Sequence, residues 1–257
     1  MARWFRHPLA LIAGFLVAAI LGGAVALGLQ AALPGLGGNK AQVERIVRAY
    51  LLDRPEILRE MMERLQQQET AQQQQAQEAA QGAIAAQMPA LTTAFGSAWA
   101  GNPKGDVTVA VFMDYACGYC RASLPAVAEL VAKDPNVRIV YREFPVLGNA
   151  SVTAARFALA AAQQGKFRAF HDALFAADGP SDAAIADALT KAGLDRAVAE
   201  KAAASESVTR EIESNHKLGA QLAMNGTPSW VVGGKILYGA RDYAALAEAV
   251  AAARKAK

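Results

Sequence analysis

Cys117-Gly118-Tyr119-Cys120 holds the only two cysteines of the chain, placed where a largely apolar run, Val107 to Met113, gives way to a helical pattern. A short run of this kind, rich in β-branched residues, reads as a buried strand. Spacing of three lets one helical turn carry both sulfurs, so they can close a disulfide with each other and reopen it. The first cysteine falls at the helix N-terminus, where unpaired N–H groups and the macrodipole favour a thiolate. Zinc sites use the same spacing, but two cysteines cannot complete a four-ligand site, and they exclude a disulfide-stapled scaffold. Redox chemistry is the remaining use for so close a pair. Gly226-Thr227-Pro228, far downstream and just ahead of another short apolar run, strengthens it.

The chain has 257 residues, 53% hydrophobic and 19% charged, enough for one globular domain plus additional segments. Abundant alanine and only 7% aromatic residues favour a mostly helical chain. A net charge of +3, scattered along the sequence, gives no nucleic-acid groove. No metal site and no cofactor are expected.

The N-terminus bears on where this chemistry takes place. Arg3 and Arg6 precede an apolar stretch from Leu9 to Leu33, and no acidic or basic residue follows until Lys40. About 20 apolar residues suffice to cross a bilayer. The basic residues would remain cytoplasmic and everything after Lys40 would lie beyond the membrane. Residues 1–38 are therefore expected to be a membrane anchor, with a cleaved signal peptide as the alternative, because Ala24-Val25-Ala26 has the small-x-small form of a cleavage site. Either way the body is exported, and a bacterial periplasm is a compartment where disulfides persist.

Residues 39–96 read as a helical, Gln-rich segment. Val43, Ile46, Val47, Tyr50 and Leu51 have helical spacing, and Asp53 with Glu56 forms a capping-box pattern for a second helix. Ile57, Leu58, Met61, Met62 and Leu65 continue the stripe; Gln66 to Gln81 are good helix formers that offer little to a core. The segment is either a solvated spacer or an oligomerisation stalk that pairs copies of the chain through residues 41–90.

The body is placed at residues 97–257. Val107–Met113, a helix from Cys117 to about Lys133 and a strand from Val137 to Phe144 make a βαβ unit, which implies parallel pairing. Residues 149–222 contain no strand-like run and read as several short helices, one capped by Ser181 and ended by Gly193. Ser229–Val232 and Lys235–Tyr238 read as a hairpin turned by Gly233-Gly234, and Asp242 opens a C-terminal helix.

This order, with C-x-x-C after the first strand and Thr227-Pro228 before the hairpin, resembles a thioredoxin fold of the DsbA-like type: α/β, with an inserted helical domain, here preceded by the N-terminal membrane or signal helix and the helical stalk. Residues 41–65, with Tyr50-Leu51-Leu52-Asp53-Arg54-Pro55-Glu56-Ile57-Leu58, also resemble the N-terminal segment of the suppressor-of-copper-sensitivity protein C (ScsC) group. The resemblance implies that Cys117 is the exposed nucleophile and Cys120 the more buried resolving thiol. It makes Pro228 a cis-proline facing the pair, and gives the Thr227 backbone to an extended substrate chain in a short β-augmentation.

Two departures bear on subclass. Thioredoxin and DsbA carry a buried acid six positions before the first cysteine, where this chain has Val111. The nearest acid, Asp114, is either a surface-facing loop or capping residue or a group that tunes thiol acidity; Tyr119 supplies no charge to the pair. Gly118-Tyr119 and Thr227 resemble the choices of DsbC-like isomerases. Glu143 is either a strand-end salt-bridge residue or one lying under the site, His171 and His216 are expected at the surface or core edge and not as ligands, and Arg121 either favours the thiolate or acidic substrates or is a solvated helix residue.

The implied function is exchange of disulfides with exported, cysteine-containing proteins, leaning to isomerase or reductase, with an unidentified membrane redox partner to recycle the pair. A monomeric DsbA-like oxidase is the close alternative. A Cu(I)-handling protein using the same two thiolates is the alternative from a different class.

Overall fold

The computed structural model describes residues 22–23 and 40–256. The apolar stretch 9–33, with Arg3, Arg6 and Ala24-Val25-Ala26, lies outside the described residues apart from Gly22 and Gly23. Among the described residues no helix is long and apolar enough to cross a membrane.

The chain divides between Glu69 and Thr70 into two units. The first contains helix α1 (Lys40–Asp53) and the opening turns of α2 (Glu56–Thr92). α1 has no buried residue, and Val43, Ile46, Leu58 and Met62 all stay exposed. Asp53 does not cap the second helix but ends the first. Arg54 precedes Pro55, whose ring pushes it out of helical conformation, and Ile57 donates its N–H to the Arg54 carbonyl at 3.2 Å.

The second unit contains a five-stranded sheet in the order β1-β3-β2-β4-β5. Its strands are β1 (Trp99–Gly101), β2 (Val107–Met113), β3 (Val137–Glu143), β4 (Ser229–Val232) and β5 (Lys235–Tyr238). β2 and β3 are parallel, joined by the crossover helix α3 (Gly118–Lys133); the other pairings are antiparallel. Helices α4 (Asn149–Gln163), α5 (Phe167–Phe175), α6 (Asp182–Lys191), α7 (Arg196–Ala203) and α8 (Glu206–Gln221) fill the interval between β3 and β4, and α9 (Tyr243–Lys255) closes the chain. Ser181 and Asp242 cap α6 and α9 through their side chains, as their positions in the sequence imply. Gly193 (φ 66°) ends α6, and Gly233 and Gly234 (φ 52° and 89°) turn the hairpin in left-handed conformations that other residues adopt only under strain.

Alternation along β2 sends its residues to two cores. Val107, Val109, Val111 and Met113 face Val127 and Leu130 of α3, Phe167 and Phe170 of α5 and Leu246 and Val250 of α9. Ala110 and Phe112 point to the opposite face, where they meet Phe144, Leu218, Leu222, Ile236 and, from α2, Ala80, Ile84 and Leu91. A strand with apolar residues on both faces needs both covered. The second half of α2 helps to supply that cover, so residues 70–92, read as stalk from their Gln content, pack in the body. β1 was not foreseen: three residues at a sheet edge, antiparallel to β3, carry too little alternation to recognise.

Candidate redox site

The site begins at the end of β2. The Asp114 carboxylate is buried: Oδ1 accepts from Ala116 N at 2.8 Å, and Oδ2 accepts from Val146 N at 2.8 Å and Leu147 N at 3.0 Å. Its own carbonyl accepts from Cys117 N at 3.1 Å. Asp114 is thus an interior residue and not a surface-facing one, tying the turn before Cys117 to the loop after β3.

Cys117 is the N-cap of α3, in extended conformation at φ −84° and ψ 114°. Its thiol donates to the Thr227 carbonyl at 3.2 Å, and the Thr227–Pro228 bond is cis. Four of the residues singled out in the sequence, Cys117, Cys120, Thr227 and Pro228, therefore meet across a span of 110 positions. Both cysteines are free thiols. Cys117 is 8% exposed and Cys120 0%, so their order of accessibility is as expected, although Cys117 itself is only slightly open. Burial pushes the Cys120 thiol well above the usual range, against hydrogen bonds from the Asp114 backbone and Thr227 that pull it down.

Tyr119 stands 71% exposed, joined at the surface by Val146 and Leu147. Half-buried Arg121 reaches toward exposed Asp178 at 3.9 Å. Among the described residues no group of three or more His, Cys, Asp and Glu side chains is arranged to hold a metal.

From Tyr115, two residues before Cys117, extends a buried polar cluster that the sequence reading saw only in part. Among the described residues Glu143 forms no salt bridge; it is buried, and its Oε1 accepts from the Tyr115 hydroxyl at 3.3 Å. The same hydroxyl lies 3.0 Å from His171 Nδ1. His171 belongs to the core and not to its edge, enclosed by the rings of Tyr115, Tyr141, Phe167 and Phe175. Burial raises the Glu143 pKa far above the carboxylate range, with the Asp114 charge adding to it, and lowers His171 to about 3. His216 is half-buried against the Phe144 ring at 4.9 Å.

Arg142, next in the strand, was missed altogether. It is buried on the other side of the sheet, where it donates to Glu211 at 2.9 Å, to Asn215 at 3.3 Å, and to the carbonyls of Ala90 and Thr93. Those carbonyls belong to the end of α2, where the last helical C=O groups lack intrahelical partners. A cation at a strand position whose neighbours Val140 and Tyr141 are apolar was the available signal.

The comparisons with known proteins agree with this fold. The model of the DSBA-like thioredoxin domain matches residues 108–251, and that of the copper resistance protein ScsC N-terminal domain matches residues 39–72. The chain belongs to the DSBA-like thioredoxin domain family. A thioredoxin-like oxidoreductase from Silicibacter pomeroyi DSS-3 is 44% identical, covering 62% of this chain and 92% of that one, with a TM-score of 0.60. Proteus mirabilis ScsC in a transitional conformation is 27% identical over 86% of this chain and 99% of its own, with a TM-score of 0.63. Among curated proteins, the Na(+)/H(+) antiporter NhaA 1 of Salinispora arenicola is 34% identical over 60% of this chain, which spans 24% of that relative's length.

Proposed function

We propose that this chain is an exported thiol–disulfide oxidoreductase that exchanges disulfides with cysteine-containing proteins through Cys117 and Cys120. The observation that carries the reading is the Cys117 thiol at the N-cap of α3, 3.2 Å from the Thr227 carbonyl, with its partner sulfur buried behind it. Exchange needs an accessible sulfur that attacks or is attacked, and a second that resolves the mixed disulfide. Thr227 beside Pro228 offers backbone groups to an extended substrate, and Tyr119, Val146 and Leu147 form an apolar rim for an unfolded one.

Isomerase or reductase activity is the favoured direction. Gly118-Tyr119, Thr227 and Val111 support it, as does the unpartnered stripe of Val43, Ile46, Leu58 and Met62, which suits a homo-oligomer. The apolar stretch 9–33 behind Arg3 and Arg6 supports export to a periplasm, and a membrane redox partner would recycle the pair. The ScsC N-terminal match at residues 39–72 keeps one second reading, Cu(I) handling by the same thiolates.

Cys120→Ala decides between these. Under exchange it accumulates mixed disulfides with exported proteins; a protein that traps none, while its wild-type thiols bind Cu(I), would be a metal handler. Recovery of scrambled ribonuclease without added oxidant supports isomerase activity, and failure leaves the oxidase. Light scattering on the full chain and on Ile46→Lys/Leu58→Lys tests the stalk: a wild-type monomer removes the oligomer.

A further inference from the structure

On the exchange reading above, we infer that Arg121 is a carboxylate-binding residue of the redox site, selecting partner proteins that carry an acidic residue beside the reacting cysteine.

The surroundings of the pair are almost uncharged. Residues 115–128 hold the two cysteines, the Asp114 bonds bring in the segment 144–155, and the Cys117–Thr227 contact brings in residues 222–234. Together these three segments contain a single Asp, Glu, Lys, Arg or His, and it is Arg121. Tyr119, Val146 and Leu147, the large exposed side chains among them, carry no charge. One cation on a neutral rim meets little competition from other protein charges, so its sign sets the field that an arriving partner feels.

The chain holds that cation at the redox turn. Arg121 N donates to the Cys117 carbonyl at 3.1 Å, one helical turn on. Residues four apart share a helix face, and side chains lean toward the helix N-terminus, so Arg121 covers the turn that Cys117 opens. The loop after α5 approaches the same turn. Phe175, the last residue of α5, packs its ring 4.6 Å from that of Tyr115, two residues before Cys117. Asp178, three residues further on, places Oδ1 3.9 Å from Arg121 Nη1. The guanidinium therefore lies between the first turn of α3 and this loop.

Its hydrogen-bonding capacity is largely unused. Arg121 is half-buried, and its Nε is enclosed without a hydrogen-bond partner among the described residues. A residue kept only for solvation would carry its whole guanidinium in water. Nη1 meets Asp178 beyond hydrogen-bonding distance, and Asp178 is fully exposed, so that pair is weak and readily replaced. Two parallel N–H bonds from the planar fork to one carboxylate are stronger, and Asp178 does not make them.

An extended partner paired with the Thr227 backbone carries the residues flanking its cysteine past the first turn of α3. Glutamate or aspartate there takes the fork from Asp178, whereas lysine is repelled. The Cys117 thiolate attacks the partner sulfur, and the other sulfur of that disulfide leaves as a thiolate. Cys120, its proton lost to solvent, then attacks Cys117 Sγ and expels the partner cysteine as a thiolate, which takes a proton from solvent. Two electrons pass from the pair to the partner disulfide. Arg121 touches neither sulfur and holds the flanking carboxylate while the mixed disulfide lasts.

The test uses the full reduced chain and three short peptides that differ only in having Glu, Gln or Lys next to a single cysteine. Each cysteine is held as a mixed disulfide with 2-thiopyridine. Attack by Cys117 on the peptide sulfur releases pyridine-2-thione, whose absorbance gives the rate. The ratio of the Glu to the Gln rate cancels the intrinsic reactivity of Cys117, which both peptides meet alike. In the wild type this ratio should be about five, with the Lys peptide slower than Gln, and should fall toward one in about 1 M salt. Arg121→Gln should bring it to about one, Arg121→Lys should keep part of it, and Asp178→Asn should raise it. A wild-type chain that reacts with none of the peptides sinks the exchange reading and this inference with it. A reactive wild type with no preference for Glu, or one whose preference survives in Arg121→Gln, overturns the inference alone. Glutamine is a good helix former, and a ratio taken within one protein does not change with the fraction folded.

Discussion

Asp114 Oδ2 accepts the backbone N–H of Val146 at 2.8 Å, joining the turn that presents Cys117 to the loop that follows β3. With Leu147 and Ala116 the carboxylate takes three N–H groups in a buried setting. Hydrogen bonds to a charged group contribute more than neutral ones, and buried donors left without an acceptor add their own cost. Asp114→Ala should lower stability by about 3 kcal/mol in urea unfolding. Asp114→Asn, which keeps one carbonyl oxygen, should cost less. The proposed exchange rate should fall in both, because Cys117 loses the geometry of its turn.

Arg142 carries a second, separate prediction. Its guanidinium pairs with Glu211 and also closes the carbonyl end of α2 at Ala90 and Thr93. Arg142→Met should cost about 3–5 kcal/mol, since it leaves Glu211 and the carbonyls unpartnered. Lysine should recover little of this, because one ammonium cannot reach as many acceptors as the planar fork. Hydrogen exchange should rise in residues 80–92 before it rises in β2.

These residues also show which parts of the molecule could be read in advance. β2, β3, the β4–β5 hairpin and the caps at Ser181 and Asp242 depend on neighbours within a few positions, and local pattern exposes them. Cys117, Cys120, Thr227 and Pro228 were legible because the two motifs are specific, although the contact between them is long-range. The burial of Asp114, Glu143 and His171, and the part of Tyr115 altogether, were not. Each is a polar residue that looks superficial by itself, and only the packing of β2, β3 and α5 brings them together in the interior. Ala80, Ile84 and Leu91 were hidden in another way: a Gln-rich surface masks a narrow apolar stripe whose purpose appears only once the second face of β2 requires cover.

Gly219 of α8 lies against Phe144, and a Cβ built there would stand 2.7 Å from the ring Cζ. Phe144 is itself held edge-on to Phe112 at 5.6 Å, so the ring has little room to yield. Gly219→Ala should therefore destabilise by about 1–3 kcal/mol, although alanine favours a helix interior. Phe144→Leu in the same chain should restore part of the loss. Equal stability of Gly219→Ala and wild type in thermal unfolding would show that the helix can move away.

His171 should leave a signature in the pH dependence of stability. Its pKa falls from the ordinary 6.5 to about 3 because the folded interior holds the ring neutral. Between those values the unfolded chain binds a proton that the folded chain does not, so stability rises with pH across this window. The contribution is complete above pH 6.5 and is lost as the pH falls toward about 3. Glu143 acts in the opposite sense: its raised pKa makes the folded chain the better proton binder above 4.5, so its contribution declines as the pH rises. Subtracting the profile of His171→Phe from that of the wild type cancels most of the Glu143 contribution, because both chains retain that acid. The difference should be flat above about pH 6.5 and should shift against the wild type on acidification, by about 1.4 kcal/mol per pH unit in the middle of the window. A difference that stays flat down to about pH 4.5 would mean that His171 charges without penalty, and that the ring is not enclosed in solution as it is among Tyr115, Tyr141, Phe167 and Phe175.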